Sequence, residues 1–240
     1  MPTPDPIDVW LRPERSGVGP RPGHSRAGIA LAAIQLADHD GLAAVSIRGV
    51  AASIGAGAAS LYRYLKSHDE LIELMVDTVS AEYDLCPSDE DPSTQLRNLA
   101  SQGRTIMRRH TWLAPLLLTR PSLGPNSLRY LERALSALQG VDMPGPAKLQ
   151  TVAMMTAITS AFVQNELAAA AASNADDGAV SARARYVSGV LLSGDYPLLA
   201  GALTGQHEPG GPDEIFTTVI TNYLAGAGLP GTGRPRIGTM

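Results

Sequence analysis

Two short apolar stripes of helical period flank the tripeptide Gly55-Ala56-Gly57, and this arrangement constrains the fold more than any other feature of the chain. Ile47, Val50, Ala51 and Ile54 recur at i, i+3, i+4 and i+7 behind Ser46, a good helix N-cap, and Gly55 offers the left-handed stop that ends a helix. After the turn, Ala58, Leu61, Tyr62 and Leu65 mark the second stripe, which is expected to turn Ser60, Arg63 and Tyr64 outward. Upstream, Ala30, Ala33, Ile34 and Ala37 form a third stripe that Gly41 breaks. Downstream, Ser67 and Glu70 stand three apart as a capping box, and Leu71, Leu74, Met75 and Val79 continue a helix toward Pro87. Two short helices around a tight Gly-bearing turn, the second with a small polar face, are the parts of a helix-turn-helix.

Helix formers dominate the rest. Ala and Leu are abundant and aromatic residues make up only 5% of the 240, so the fold class is all-α: a three-helix helix-turn-helix domain followed by a larger helical domain. The net charge of −4 alone argues against a nucleic-acid partner, but its distribution points the other way. Through His68 there are seven Lys and Arg against five acids, which leaves a net −6 for the remainder. The single cysteine, Cys86, excludes an internal disulfide framework and points to a reducing cytoplasm. No apolar run reaches transmembrane length, and no membrane partner is expected.

The expected divisions are 1–24 for a flexible Pro-rich arm, 25–80 for the helix-turn-helix domain, 93–227 for the larger domain and 228–240 for a frayed tail, with a polar connection over 86–93. The arm is either an inert leader or a device that lays Arg12, Arg15 and Arg21 into a minor groove. In the larger domain, helices are expected over 93–110, 112–119, 124–139, 147–172, 180–192, 196–203 and 213–225. The helix over 147–172 is apolar on most sides, which predicts burial nearly all round. In the last helix, Ile215, Phe216, Val219, Ile220, Tyr223 and Leu224 recur as adjacent pairs, a face that needs a partner.

A reading helix in a major groove meets base edges, thymine methyls and phosphates. Ser60, Arg63 and Tyr64 suit those contacts, small Ala58 and Ala59 allow close approach, and Arg48 reaches out from the preceding helix. Residues 25–77 resemble the DNA-binding domain of the tetracycline repressor (TetR) family of bacterial regulators. The resemblance is carried by Arg26, Gly41, Ser46-Ile47-Arg48, Ala51, Gly55-Ala56, Ser60-Leu61-Tyr62, Arg63-Tyr64-Leu65 and Asp69-Glu70-Leu71. It implies that Ser60, Tyr62 and Tyr64 contact DNA with help from Arg48, and the full candidate set adds Ala58, Ala59, Arg63, Lys66 and His68. His68 stands where the family usually has a phosphate-holding Lys, and Gly57 and Ala58 where it is commonly polar.

The C-terminal half resembles the ligand-binding and dimerisation domain of tetracycline repressors, through Leu117-Leu118-Thr119-Arg120-Pro121 and Glu166. Leu116 occupies the place of the family's His that ligates drug-bound magnesium, so the resemblance implies a different small molecule. It further implies a homodimer on a palindromic DNA operator, joined through the long and the terminal helix, with Ile215, Phe216, Val219, Ile220 and Tyr223 at the interface. The expected pocket walls are Met107, Trp112, Leu116, Met154, Ile158 and Phe162, with Arg120, Asn165 and Glu166 as polar contacts. Each of these is equally readable as an ordinary core side chain.

Catalysis is not expected. The five histidines are scattered, no Gly-x-Ser-x-Gly occurs, Gly55-Ala56-Gly57 lacks the ending of a phosphate loop, and His110 with Glu166 is the one pair that could share a metal. No cofactor or metal is anticipated. The function expected is a repressor released from DNA by a small, largely apolar ligand; the alternative is a helical ligand-binding or interaction module whose DNA binding is weak or lost.

Overall fold

Serine starts and glycine stops delimit the first helices of the computed structural model, which describes residues 5–13, 24–120, 122–173, 177–204 and 210–229. The Ser25 hydroxyl accepts from the Gly28 N–H and opens α2 (Arg26–Asp40), which Gly41 ends at φ +81°. Ser46 accepts from Gly49 at the head of α3 (Ile47–Ser53). At its end, the Ala56 N–H reaches the Ala51 carbonyl at 2.8 Å and the Gly55 N–H reaches Ala52 at 3.1 Å, a complete Schellman pair closed by Gly55 at φ +67°. That turn delivers α4 (Ala58–Leu61), and α5 (His68–Ser80) follows behind the Ser67 cap. The Glu70 carboxylate bonds the Lys66 N–H at 2.7 Å, one residue short of the reciprocal partner a capping box predicts.

The larger part contains α6 (Pro92–Arg109), α7 (Leu113–Leu117), α8 (Pro125–Ala137), α9 (Gly145–Ser173), α10 (Asp177–Leu192), α11 (Pro197–Thr204) and α12 (Pro212–Gly226). Every regular element among the described residues is helical, and no helix among them is long and apolar enough to cross a membrane.

Two apolar clusters hold these helices. The first joins α2, α3, α4 and α5 to Met107, Trp112, Leu113, Ala114 and Val163, so it runs across the expected division between domains. The second packs Leu96, Leu99, Ala134, Val152 and Met155 against Phe216, Ile220 and Leu224 of α12. Burying a side chain such as Phe216 contributes about 1.5–3 kcal/mol.

Three expectations are corrected. Residues 1–24 are not all a free arm: α1 (Asp8–Leu11) places Val9 at zero exposure in the first cluster. The Trp10 indole donates to Glu73 at 3.0 Å, and Arg12 pairs with the buried Glu70 carboxylate, so Arg12 is not presented to a minor groove. Ile7, Val9 and Trp10 give this stretch an apolar side that its prolines concealed. Arg15 and Arg21 lie outside the described residues. In the expected tail, Leu229 is buried in the second cluster, its N–H bonded to Leu224 at 3.0 Å. Finally, α9 is not buried all round in a single chain: Leu149 and Met154 are each 45% exposed.

Candidate nucleic-acid interface and ligand pocket

The recognition face is built on one turn of helix. α4 ends at Leu61, and the chain continues through tighter i to i+3 bonds, Arg63 to Ser60 at 3.3 Å and Tyr64 to Leu61 at 2.9 Å. Leu61, Tyr64 and Leu65, spaced i, i+3 and i+4, therefore point inward together. Tyr64, expected on the outer face, is 7% exposed and belongs to the core, whereas Tyr62, expected in the stripe, is 47% exposed. Ala59, Arg63 and Lys66 are exposed as well, with Ser60 and Ala58 half-buried beside them. The Arg63 guanidinium donates to the Ser60 hydroxyl at 3.0 Å, and the Lys66 ammonium to the Tyr62 carbonyl at 3.2 Å. Arg48 is exposed on α3.

His68 does not simply replace a phosphate-holding cation. Its Nε2 lies 3.1 Å from the Val45 carbonyl, so that nitrogen carries the proton and donates it, tying the head of α5 to the segment before α3. Tyr64 and His68 thus brace the motif; Tyr64 is buried, but His68 stays exposed and shares the outward face with Arg48, Ala59, Ser60, Tyr62, Arg63 and Lys66.

A cavity of about 330 Å³ opens among α5, α6, α7, α8 and α9. Val79, Ile106, Leu117, Leu131 and Val152 make it apolar, Tyr83 and Tyr130 give it aromatic walls, and among the described residues no charged side chain lines it. Its serine hydroxyls and that of Tyr130 are engaged within the wall: Ser127 donates to Ser122 at 3.0 Å and lies 3.1 Å from Ser80, and Tyr130 meets Thr156 at 3.3 Å. Burial raises the phenol pKa of both tyrosines above the ordinary value, and the Tyr130 phenol adds to that effect at Tyr83, so both stay neutral at physiological pH.

None of the ligand residues expected from the sequence lines this cavity. Met107 is buried against Ser160, and Trp112 belongs to the first cluster, donating to Asp38 at 2.7 Å beside His110. Leu116 packs against the first cluster, Arg120 is at the surface paired with Asp69, and Met154 and Asn165 are exposed on α9. Ile158 and Phe162 pack on the second cluster, where Phe162 meets Phe216 edge-on at 5.2 Å. Glu166 holds Arg104 at 2.6 Å, while Arg104 also pairs with Asp213 and lies over both phenylalanine rings. His110, engaged by Asp38 and Glu82, is not brought to Glu166. The α9 residues that face the cavity, Leu149, Val152, Ala153 and Thr156, belong to a different side of the helix than those expected. Paired aromatics and serines at Ser80, Tyr83, Ser127 and Tyr130 were the signal available in the sequence.

Of the expected dimer residues, Phe216 and Ile220 are buried within the chain itself and Tyr223 bonds the Thr151 carbonyl at 3.1 Å. Only Ile215 and Val219, 39% and 36% exposed, remain on the outside of α12. The first two doublets place one residue inward and one outward, while in the third Leu224 is buried and Tyr223 half-buried.

A helix-turn-helix with an exposed cationic face, joined through α5 to a helical domain enclosing an apolar cavity, defines a DNA-binding regulator. The family model described as "Bacterial regulatory proteins, tetR family" matches residues 29–75, and that described as "Tetracyclin repressor-like, C-terminal domain" matches residues 86–227. The chain is 29% identical over 211 residues to the HTH-type transcriptional repressor DrrR1 of Streptomyces coeruleorubidus, covering 85% of this chain and 77% of that one. It is 31% identical over 199 residues to an HTH-type transcriptional regulator of Saccharopolyspora erythraea, covering 82% and 81%. The structure of ActR of Streptomyces coelicolor in complex with actinorhodin superposes with a TM-score of 0.71 at 24% identity, covering 88% of this chain and 99% of that one. The chain belongs to the tetracycline repressor family of transcriptional regulators.

Proposed function

We propose that the protein represses transcription by binding a palindromic operator as a homodimer and leaves the DNA when a neutral, largely apolar molecule fills the cavity between α5, α8 and α9. The observation that carries this reading is the attachment of the cavity's rim to α5. Ser122 and Leu123, which line the cavity, both donate to Glu73 of α5, the helix whose first turn braces the helix-turn-helix through His68. A ligand that displaces the rim acts on the element that positions the reading face, and so favours one of two domain arrangements. The relative DrrR1 is named a repressor, and ActR has been crystallised with actinorhodin, a small molecule.

DNA binding is tested by titrating the chain's own upstream region at two salt concentrations. With Arg48, Arg63 and Lys66 on each of two copies, affinity should fall about a thousandfold between roughly 50 and 200 mM salt. Absence of binding at low salt would support the rival reading of a helical module that has lost its operator.

Dimerisation is tested at Ile215 and Val219 rather than at Ile220, which belongs to the chain's own core. The outward positions of α12 and the exposed face of α9 at Met154 are the surfaces a second copy would cover. Ile215→Asp with Val219→Asp should halve the mass measured by sedimentation while leaving the helical circular dichroism unchanged. A mass equal to that of the unmodified chain would place the interface elsewhere.

A further inference from the structure

Among the described residues the cavity offers a ligand little polar recognition, because its serines bond one another, Tyr130 bonds Thr156, the Tyr83 hydroxyl is turned against α6 at Gly103, and no charged side chain lines it. Shape then decides what enters, and in such a site even one added methylene alters affinity measurably. The wall that fixes the shape contains Tyr83, whose ring stands 4.5 Å from that of Tyr130 at a tilt of 40°. Tyr83 forms no hydrogen bond among the described residues and is placed by packing alone.

What it packs against is a gap in α6. Gly103 lies within an eighteen-residue helix and is not among the glycines with positive φ, so its backbone does not require glycine. Alanine would be the better helix former there. Space is the reason instead: a Cβ at residue 103 would stand 2.6 Å from the Tyr83 hydroxyl oxygen, while Cζ and Cε1 would lie at 3.5 and 3.7 Å, ordinary contact distances. Only the hydroxyl depends on the glycine.

We propose that Gly103 and Tyr83 together set the width of the ligand cavity and so determine ligand size: the missing side chain lets the phenol lie back against α6, which leaves room for a neutral aromatic molecule beside Tyr130. The inference rests on the reading of this cavity as the ligand site. A side chain at residue 103 pushes the phenol off α6 toward the cavity, and removing the hydroxyl relieves that push.

The test uses the full chain and two neutral fluorescent probes, N-phenyl-1-naphthylamine as the larger and 1-naphthol as the smaller. The unmodified chain should bind both. Gly103→Ala should weaken the larger probe at least about tenfold and the smaller less than about twofold, with operator affinity unchanged. Tyr83→Phe in the Gly103→Ala background should restore the larger probe to within about twofold of its original affinity. Unchanged affinity of Gly103→Ala for the larger probe, or a loss that Tyr83→Phe does not restore, overturns the proposal while the cavity keeps its role. If the unmodified chain takes up neither probe, the reading of the cavity as a site for neutral aromatic ligands fails, and the role of the pair fails with it.

Discussion

Deletion of residues 1–13 is expected to destabilise the helix-turn-helix region by about 3–5 kcal/mol, because it strands a buried charge. Glu70 is fully buried, and Arg12 is the cation that faces it; the Lys66 N–H is its other partner, and its second oxygen has none among the described residues. The same deletion removes Val9, fully buried, and the Trp10 bond to Glu73. A denaturant titration followed by circular dichroism should show a lower midpoint with little change in slope. Neutralising the stranded group should soften the effect: with Glu70→Gln already present, the deletion should cost less than it does in the unmodified chain, as a double-mutant cycle measures. An unchanged midpoint would mean that α1 does not dock in solution, and equal losses in both backgrounds would mean that the charge is not the cause. Any loss of DNA affinity on deletion should disappear at temperatures where the shortened chain is fully folded, since Arg12 is held by Glu70 rather than presented outward.

Local chemistry was legible where one residue type settles a local question. Ser25, Ser46 and Ser67 cap, Gly41 and Gly55 terminate, and the helix ends they set fall within a residue or two of expectation, whereas the helix behind Ser67, with no such stop, ends at Ser80 rather than running on toward Pro87. Rotational phase was not legible in short or uniformly apolar segments. Tyr62 and Tyr64 exchange places because α4 tightens after one turn, and a stripe of four residues cannot show such a change of period. α9 is apolar around much of its circumference, so its sequence does not say which positions face the cavity, and the candidates on it at Met154, Ile158 and Phe162 miss the cavity, while Thr156 reaches it. The ion pairs that tie the molecule together, Arg12 with Glu70 and Arg104 with Glu166 and Asp213, join residues far apart in the chain. No local pattern encodes such partners; they follow only from the packed arrangement.

The second large effect is expected at Asp77. Asp69, Glu73 and Asp77 recur every four residues and so share a face of α5, and each holds a successive part of the segment from Arg120 to Ser127. Asp69 pairs with Arg120, Glu73 accepts from Ser122 and Leu123, and Asp77 accepts the N–H groups of Asn126 and Ser127 at 2.8 and 3.0 Å. The last of these caps the N-terminus of α8 from another helix, with the Asn126 amide adding a bond at 3.0 Å to the other carboxylate oxygen. Asp77 is 3% exposed, so Asp77→Ala leaves two helix N-terminal donors without an acceptor in a buried place, at a cost of about 2–5 kcal/mol. Gly124→Ala should act through the same contact, because a Cβ there would stand 2.3 Å from the Asp77 carboxylate oxygen and must drive the two apart. Asp77→Asn keeps an acceptor and should lose less than either. Hydrogen exchange at Asn126 and Ser127 supplies the local readout: both amides should exchange faster in Asp77→Ala and Gly124→Ala, and remain protected in Asp77→Asn. If Asp77→Ala unfolds within about 0.5 kcal/mol of the unmodified chain, the scale of an ordinary surface substitution, then α8 is anchored by its apolar face rather than by Asp77, and only Asp69 and Glu73 tie the rim to α5.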